Sequence, residues 1–454
     1  MSRFPKEIAL LALGLAAACS DHAIPAHPPL DRFFFPSGVA VRHLPDGRTQ
    51  LLVVSSNYDL RYDTGTLLSV DPDVSGNALP TPAGPGDPTL AVLGSVPVDS
   101  FGGEVQVAER AACPPLWENL AVTTSRQAIE AYFFSLGDDG SLGCGDRCRF
   151  PLEQTFADPY GVVVACSPFY ARASAFFTYL RGPQDQGLAT EVSLVLDTSG
   201  KLLTASDSTG QRLQGAFALG TGFSRSGAYD PGTARLFLTP NGTIGADPLR
   251  WFDLTVARLF PPPFPVQAFD LYGAVRGSTG RGIALSRDGT RAYVTLILYD
   301  ALEASRSGRA FVEGSALAVL DIRPGASGVT APKLLEVVPL EAGASEVKAI
   351  SRPGRRDLLA ITCSDAGSLL LYDDEVGQVV KVIGTNRATG LPLLGKQPFG
   401  LALEENPDPA RCSQGAPCVR LFVGAFEQST VGIVEIDPQQ PWNAALVKVL
   451  GVAQ

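Results

Sequence analysis

Histidine is scarce in this chain of 454 residues, which contains only three, none of them beyond position 43. His22 and His27 lie in a short stretch with prolines, and His43 stands between Arg42 and Leu44. A Ser-His-Asp or Cys-His arrangement needs an imidazole to accept the nucleophile's proton, and a zinc site usually needs two or more. The composition therefore argues against both chemistries, and we expect a surface or turn position for His43.

The sequence also lacks a basic block and a long helical stripe. Lys and Arg total 36 against 46 Asp and Glu, and the net charge of −10 makes nucleic acid and anionic lipid poor partners. Apolar residues make up 45% of the chain, enough for a large core. No stretch carries a sustained 3.6-residue apolar period, so few helices are expected.

One apolar run lies at the N-terminus, and it has the layout of a secretory signal. Arg3 and Lys6 precede the run from Ile8 to Leu15, and three alanines then lead to Cys19. The run is too short to cross a roughly 30 Å hydrocarbon core as a permanent helix. Small residues before a cysteine resemble a bacterial lipobox, in which that cysteine takes a lipid and becomes the mature N-terminus.

The leucine of the lipobox is displaced by one position, because Leu15 lies four residues before Cys19 and Ala16 takes its usual place. Ordinary signal peptidase would also accept Ala16-x-Ala18, so both interpretations cut after Ala18 and differ only in the lipid. We predict a signal peptide over 1–18, a stiff tether over 19–31 and one domain over 32–454. By analogy with lipoproteins, Ser20 favours the outer membrane, with membrane attachment through the lipid alone.

Seven cysteines remain besides Cys19, an odd number for an oxidising compartment where disulfides persist. Cys412 and Cys418 flank a short polar loop and are predicted to form a disulfide. Cys363 lies in an apolar run and is predicted to be free and buried. The other four allow three pairings, between which the sequence does not choose: Cys113, Cys144, Cys148 and Cys166.

A Gly-apolar-small-apolar tetrapeptide recurs along the chain. Strong copies begin at Gly38, Gly161, Gly282 and Gly400, which lie 123, 121 and 118 residues apart. Weaker copies fall midway, at 103–107, near 222–223 and at 346–350. The unit is therefore about 60 residues long, and seven units fit.

Short apolar or β-branched runs follow each strong copy and are bounded by Asp-Gly, Pro or Gly, as in strands and hairpins. Many third runs end in an acidic residue, such as those that close at Asp71, Asp321 and Asp373. Stacking three- or four-stranded repeats around an axis makes a propeller, whose innermost strands are crowded enough to favour Gly and Ala. We predict an all-β, seven-bladed β-propeller with loop insertions; a β-sandwich or β-helix fits the repeat less well. The run Phe33-Phe34-Phe35 is predicted to be a closing strand or a plug beneath the propeller.

The repeats resemble those of bacterial YVTN or lactonase-like β-propellers in their lipoprotein form. The similarity covers most of residues 32–454 and rests on the segments 36–41, 282–295 and 397–403. The name-giving tetrapeptide is only approximated, as Tyr293-Val294-Thr295-Leu296. The resemblance implies a fold and not a reaction, because such propellers include lactone hydrolases as well as envelope proteins without known chemistry.

Two sets of residues are candidates for binding. The loop between the second and third strands of the first repeat mixes Tyr, Arg and Asp, as recognition loops do, and a second polar cluster precedes the last repeat. Both could equally be solvated loops. The candidate ligand or partner residues are Asn57, Tyr58, Asp59, Arg61, Tyr62, Arg387 and Lys396.

A possible calcium site begins at the end of the third run. Asp71, Asp73 and Ser75 place oxygen ligands at alternate positions before Gly76, but Pro82 stands where a calcium loop has its bidentate Glu. A plain turn explains the same residues. No other cofactor is expected.

Two functions follow. The first is an exported, lipid-anchored propeller that acts as a non-catalytic binding or scaffold module at the bacterial cell envelope, where it binds an envelope protein or a small molecule. The alternative is a lactonase-like hydrolase with a divalent cation held by carboxylates in the channel.

Overall fold

The computed structural model describes residues 26–451, except for the segments 75–89, 114–115, 117, 146–147, 153–157, 168–171, 181–188, 197–201, 205–222, 242–247, 258–266, 276–277, 301–305, 307–311, 325–330, 387–388, 391, 406 and 414–417. The predicted signal peptide, Cys19 and the first part of the tether lie outside the described residues, as do Ser75 and Arg387.

Strands form seven sheets, each of which follows chain order from the innermost strand outward. Blade 1 contains β1 (Pro36–His43), β2 (Thr49–Ser55), β3 (Gly65–Asp71) and β4 (Ala91–Val98). Blade 2 contains β5 (Gly102–Ala108), β6 (Asn119–Ser125), β7 (Glu130–Leu136), β8 (Leu142–Gly143) and β9 (Arg149–Pro151). Blade 3 contains β10 (Pro159–Ser167), β11 (Arg172–Tyr179), β12 (Ala189–Leu196) and β13 (Leu202–Thr204). Blade 4 contains β14 (Phe223–Asp230), β15 (Arg235–Asn241), β16 (Leu249–Asp253) and β17 (Gln267–Phe269).

The last three blades have the same pattern. Blade 5 contains β18 (Ser278–Leu285), β19 (Arg291–Tyr299), β20 (Val312–Asp321) and β21 (Lys333–Leu340). Blade 6 contains β22 (Ala344–Ile350), β23 (Leu358–Cys363), β24 (Ser368–Asp373) and β25 (Gln378–Ile383). Blade 7 contains β26 (Pro398–Glu404), β27 (Val419–Ala425), β28 (Thr430–Ile436) and β29 (Ala445–Leu450).

Helical segments in the described part of the chain are short. They are α1 (Leu254–Ala257), α2 (Leu271–Ala274) and three 3-10 turns at Pro409–Arg411, Phe426–Gln428 and Pro441–Asn443. None of the helices that the structure describes has the length and apolarity needed to cross a bilayer.

The innermost strands β1, β5, β10, β14, β18, β22 and β26 lie side by side and return to β1. Successive innermost strands begin between 54 and 66 residues apart. The prediction of a seven-bladed β-propeller with units of about 60 residues is therefore confirmed, and all seven copies of the repeat lie at an innermost strand. We call the face where these strands begin the upper face and the one where they end the lower face.

The core lies between neighbouring blades. The middle strands of a blade bury side chains on both sides of the sheet, so that β2, β3 and β28 are buried at every position. One cluster joins Val39 and Val53 of blade 1 to Phe422 and Ile433 of blade 7. Burial on both faces explains why these strands read as continuous apolar runs in the sequence.

A fourth, outer strand completes each blade, beyond the acid-terminated third strand that the sequence analysis identified. The outer strands are more exposed, as in β21 and β25, and therefore give a weaker apolar signal. In blade 2 the outer strand is split, because β8 and β9 both pair with β7. A disulfide between Cys144 and Cys148 closes the loop between the two pieces.

Two further disulfides are present. Cys412 is bonded to Cys418, as predicted. Cys113 is bonded to Cys166, which links the first hairpin of blade 2 to the innermost strand of blade 3. Cys363 is free and buried, also as predicted.

The ring closes without exchange of a strand between its ends, since blade 1 is wholly N-terminal and blade 7 wholly C-terminal. The segment before β1 joins them instead. Phe33 is buried in the cluster shared by blades 7 and 1, and the backbone N–H of Phe35 donates to Ser429 Oγ at 3.3 Å. Phe34 and Phe35 lie in a bend, and residues 33–35 form no strand. Of the two expectations, a closing strand or a plug, the closing strand is therefore wrong: these residues form a closing segment held by buried rings and by hydrogen bonds to Ser55, Ser56 and Ser429.

Candidate functional site

A β-bulge interrupts every innermost strand near its start, at the same position of the repeat. In blade 2, for example, Gly102 faces Ser125 and Val105 faces Thr123, with the register shift between them. Bulges re-aim side chains and are common beside functional sites. The bulge therefore sets the direction of two successive residues in each blade. The first of these residues from all seven blades form one ring about the axis, and the second form another.

The first ring position is occupied by Ser37, Gly103, Tyr160, Arg225, Arg281, Ser345 and Phe399. The second is occupied by Gly38, Glu104, Gly161, Ser226, Gly282, Glu346 and Gly400. The strong repeats thus have glycine at the second position, while the weak copies have Glu, Ser and Glu.

Close approach of adjacent strands explains the glycines. A Cβ at Gly161 would lie 2.4 Å from the carbonyl oxygen of Arg225, and one at Gly282 would lie 2.5 Å from that of Ser345. Both distances are too short for real atoms, so the repeat allows only glycine at these two positions.

Threonine hydroxyls fix the bulge backbone. Thr178 Oγ1 donates to the carbonyl of Arg225 at 2.8 Å, and Thr295 Oγ1 donates to that of Ser345 at 2.6 Å. Thr124, Thr239 and Thr362 make the same kind of bond from one blade to the next. The channel side chains are thus presented by a backbone that neighbouring blades hold in place.

Glu104 and Glu346 bring two carboxyl groups into the channel from blades 2 and 6. Together with Gln106 and Lys348 they line an axial cavity of about 50 Å³. Glu104 Oε2 accepts the backbone N–H of Val162 at 3.3 Å. The Oε1 atom of each glutamate is buried and has no hydrogen-bond partner among the described residues.

Burial, together with the nearby carboxyl of Glu346, raises the pKa of Glu104 to about 8. Burial also raises the pKa of Glu346, against the charges of Lys348 and Arg225. Removal of a carboxylate from water disfavours its charged form, and a second carboxylate does the same. Glu104 is consequently mostly protonated at neutral pH.

Arg225 lies above this pair. Its guanidinium stands 5.1 Å from the ring centre of Tyr160 and 4.9 Å from that of Phe399, in the geometry of a double cation–π contact. Arg225 Nε and Arg281 Nε are buried without a hydrogen-bond partner among the described residues. Burial lowers the pKa of Arg281 to about 10, and the charge of Arg225 adds to this effect.

An aromatic cluster lies at the upper face, and we call it the upper aromatic patch: Phe35, Tyr58, Phe101 and Phe426. The Tyr58 ring lies 5.8 Å from Phe101, 5.4 Å from Phe426 and 6.2 Å from Phe35. Tyr58 is 54% exposed although it touches three rings, and Leu60 beside it is 53% exposed. The patch therefore offers an exposed aromatic ring, Tyr58, whose position is fixed by its contacts with the three phenylalanine rings.

Polar pairs surround the patch. Arg126 pairs with Asp158 at 3.1 Å, and Gln397 Nε2 donates to Glu427 Oε1 at 2.6 Å. Arg61 pairs with Asp59 at 2.9 Å. An aromatic centre with a polar rim has the anatomy of a protein interface.

The predicted recognition loop is divided between structural and exposed residues. Asn57 is buried and closes the loop, since its Nδ2 donates to the Tyr62 carbonyl at 2.7 Å and to Ser100 Oγ at 2.8 Å. Tyr62 packs on Phe34 at 4.9 Å between ring centres. Tyr58, Asp59 and Arg61 are exposed. Lys396 is exposed on the same face, next to Gln397.

Of the predicted calcium residues, Asp71 and Asp73 lie on the lower face. Asp71 Oδ1 accepts the backbone N–H of Asp73 at 3.0 Å, which is an Asx turn. The Asp73 carboxylate pairs with Arg411 at 2.9 Å and Arg420 at 2.5 Å. Calcium binding here stays a prediction, and the two guanidiniums occupy the carboxylate that would be its second ligand. His43 lies 3.5 Å from Glu404 and is half exposed, in keeping with the expected surface position.

The similarity of the chain to known proteins is limited to distant structural likeness. No protein-family model and no curated protein sequence matches the chain. Solved structures similar to it include a putative 6-phosphogluconolactonase from Bacteroides uniformis, at 16% identity and TM-score 0.46, covering 79% of this chain and 83% of that one. A periplasmic gluconolactonase from Pseudomonas aeruginosa matches at 16% identity and TM-score 0.41, over 92% and 86%. An inactive virginiamycin B lyase from Staphylococcus aureus matches at 11% and 0.44, over 86% and 92%. Likeness at this level concerns the propeller fold and says nothing about the reaction of this chain.

The channel residues were not identified from the sequence. A signal was present, because Glu104 and Glu346 stand where the strong copies of the repeat have glycine, and Gln106 and Lys348 stand where three of those copies have alanine. Two weak copies of the repeat therefore carry the carboxyl, amide and amino groups of the axial cavity.

Proposed function

We propose that the protein is an exported propeller, anchored by a lipid at Cys19, that acts as a non-catalytic binding or scaffold module at the bacterial cell envelope. The observation that carries this proposal is the upper aromatic patch with its exposed Tyr58. Its partner is an envelope protein that presents apolar side chains to the patch and charges of both signs to the polar rim.

The chemistry of the patch supports a protein partner. Exposed Tyr in contact with other rings loses little side-chain entropy on binding, which is why Tyr is common in interface hot spots. The rim carries positive and negative side chains side by side. It therefore suits a partner whose surface also carries charges of both signs, rather than a polyanion.

The path of the tether supports a location near the membrane. Ala26 forms a bridge with Tyr62, and His27 Nδ1 lies 2.7 Å from Asp63 Oδ2, so the chain reaches the propeller beside the patch. Seven residues from Cys19 to Ala26 span at most about 25 Å when fully extended. A lipid at Cys19 would thus hold the patch within reach of partners in the same membrane.

The lactonase-like alternative has less support. Ligand pockets usually measure about 300–1,000 Å³, whereas the axial cavity measures about 50 Å³. Among the described residues no group of three or more His, Cys, Asp or Glu is placed to hold a metal ion. Lys348 and Arg225 beside the two channel carboxyls also oppose a cation there.

Site-directed photocrosslinking tests the proposal. A photoreactive phenylalanine analogue at Tyr58 should give one stoichiometric adduct in native membranes, because the side chain faces the partner. The same analogue at Trp442, which is 57% exposed at the outer edge of the propeller, is the matched control and should give none. Identical adducts from both positions, or none from Tyr58, would contradict the proposed binding role.

The anchor is tested separately by Cys19→Ala. We expect the variant to leave the membrane fraction, because it lacks the acceptor for the lipid. Recovery of Cys19→Ala protein in the membrane, in the same amount as the unchanged protein, would show that lipid at Cys19 is not the anchor.

A further inference from the structure

A second charged cavity lies on the lower face, between blades 5 and 6, far from the upper aromatic patch. It measures about 720 Å³ and is lined by the hairpin of β18 and β19, the hairpin of β22 and β23 and the turns after β20 and β24. We call it the lower cleft. Six arginines line it: Arg287, Arg291, Arg323, Arg352, Arg355 and Arg356.

The floor of the lower cleft is rigid. Arg291 Nη1 makes two bonds to the Asp374 carboxylate, at 2.6 and 2.8 Å, and Tyr293 OH donates to the same carboxylate at 3.1 Å. Arg352 makes a bidentate pair with Asp373, at 2.6 and 2.8 Å. Buried charge-assisted pairs of this kind hold their side chains in one geometry.

The rim is different, because its arginines are exposed to solvent. Arg323 pairs with Asp321 and Arg355 pairs with Glu375, both at the surface. Arg287 Nη1 donates to the neutral Ser351 Oγ at 3.3 Å, and Arg356 is exposed. Arg287 and Arg356 take part in no ion pair among the described residues, and the exposed Arg355–Glu375 pair contributes little free energy, so these three guanidiniums can turn to an anionic ligand at low cost.

Asp357 adds an acceptor at the floor. It is 7% exposed, takes part in no ion pair among the described residues, and has the backbone N–H of Arg287 as a hydrogen-bond donor to its carboxyl group. Burial raises its pKa to about 6, and the neighbouring Asp288 and Asp374 add to the rise. A carboxyl group in this position can accept a hydrogen bond from a ligand hydroxyl, or donate one when it is protonated.

Together the rim and floor suit one class of ligand. The guanidinium fork of arginine matches a carboxylate or phosphate, and carboxyl and hydroxyl groups beside it match the hydroxyls of a sugar. The lining is more polar than apolar, and Leu335 and Tyr293 are its large apolar side chains, so the cavity favours a polar ligand over a purely apolar one. The volume is that of a small-molecule site rather than a macromolecular groove.

We propose that the lower cleft binds an acidic saccharide, whose anionic group pairs with the rim arginines and whose hydroxyls meet Asp357. The saccharide is either a free sugar acid or a unit of an acidic envelope glycan. This proposal does not rest on the proposed function, since it concerns the opposite face and different residues.

Calorimetric titration of the purified protein with glucuronate and with trigalacturonate tests the proposal. Both should bind saturably in the millimolar range or tighter, and neutral glucose should not. Tighter binding of trigalacturonate would support the glycan, and tighter binding of glucuronate the free sugar acid. Absence of saturable binding of both, or equal binding of glucose, would overturn the proposal.

Two controls keep the result specific. Arg323→Ala with Arg356→Ala should weaken binding by roughly tenfold or more, whereas Arg110→Ala, an arginine of similar exposure on the lower face of blade 2, should leave it unchanged. Equal weakening in both would refute the lower cleft as the site. If inorganic phosphate binds as tightly as glucuronate, the lower cleft is a general anion site. That result would refute the proposed contact between the sugar hydroxyls and Asp357.

Discussion

Replacement of Glu104 by Gln should make the protein more stable, and increasingly so as the pH rises. The carboxyl of Glu104 is buried in the channel beside Glu346, and its pKa is raised from 4.5 to about 8. An acid with a raised folded-state pKa binds its proton more tightly in the folded than in the unfolded chain. Its contribution is therefore most favourable below pH 4.5 and is lost as the pH rises towards 8.

The magnitude follows from the two pKa values. Each pH unit between them costs the folded state about 1.4 kcal/mol, so the loss is about 3 kcal/mol at pH 7 and reaches an upper limit of about 5 kcal/mol above pH 8. The amide of Gln keeps an acceptor for the Val162 N–H, but its NH₂ group left unpaired would cost about 1–3 kcal/mol. We therefore expect a net gain of roughly 1 kcal/mol at pH 7 and more at higher pH.

Urea unfolding of the oxidised protein at about pH 5, 7 and 8.5 measures this gain. The free energy of unfolding of Glu104→Gln minus that of the unchanged protein should increase steadily across the series. Glu405→Gln, an exposed glutamate at the end of β26, is the matched control and should show no such trend.

A difference that stays constant from pH 5 to pH 8.5 would refute the reasoning, since it would mean that Glu104 titrates alike in the folded and unfolded chains. Glu346→Gln provides a second check. It removes a neighbouring carboxylate that raises the pKa of Glu104, so it should shift the pH dependence of stability to lower pH.

Three further predictions concern the ring. Gly161→Ala should destabilise the protein by about 1–3 kcal/mol in thermal or urea unfolding, because its Cβ would meet the Arg225 carbonyl, whereas Gly314→Ala, with open space around it, should not; equal effects would refute the close-approach explanation. Cys113→Ala with Cys166→Ala opens a loop of 53 residues and should cost about 4 kcal/mol, against about 2 kcal/mol for the Cys412–Cys418 pair, whose separation is 6. The reverse order in oxidised unfolding experiments would contradict the loop-length argument. Phe33→Ala should cost about 3–5 kcal/mol, since Phe33 is 1% exposed between blades 7 and 1; a loss below about 1 kcal/mol would show that the closing segment contributes little to the ring.

Local patterns explain how much of the fold could be predicted. The Gly-apolar-small-apolar repeat reports close contact between adjacent innermost strands, and four of the seven blades meet this requirement with glycine, at Gly38, Gly161, Gly282 and Gly400. Apolar runs between turn residues report strands buried on both faces. Cys412 and Cys418 are near in sequence, so their pairing could be predicted as well. The outer strands gave no such signal, because they are exposed and tolerate many residue types.

The composition of the candidate loop pointed to recognition, and that role stays a prediction. The structure places Tyr58 and Arg61 exposed on the upper face. The sequence did not separate them from Asn57, which is buried as the closure of the loop, or from Tyr62, which packs on Phe34. Phe101 and Phe426, which support Tyr58, come from other blades and could not be grouped with it from the sequence.

By itself, then, the sequence determined the all-β class, the number of blades and the position of the innermost strands, because these depend on contacts that recur in every unit. Only the tertiary structure decided which residues meet across the units. Ring closure brings Glu104 and Glu346 into one cavity, places Arg225 between Tyr160 and Phe399 and pairs Cys113 with Cys166. The physical reason is that a propeller sets equivalent positions of seven distant segments at one level of the axis, so the chemistry there depends on level and not on sequence distance.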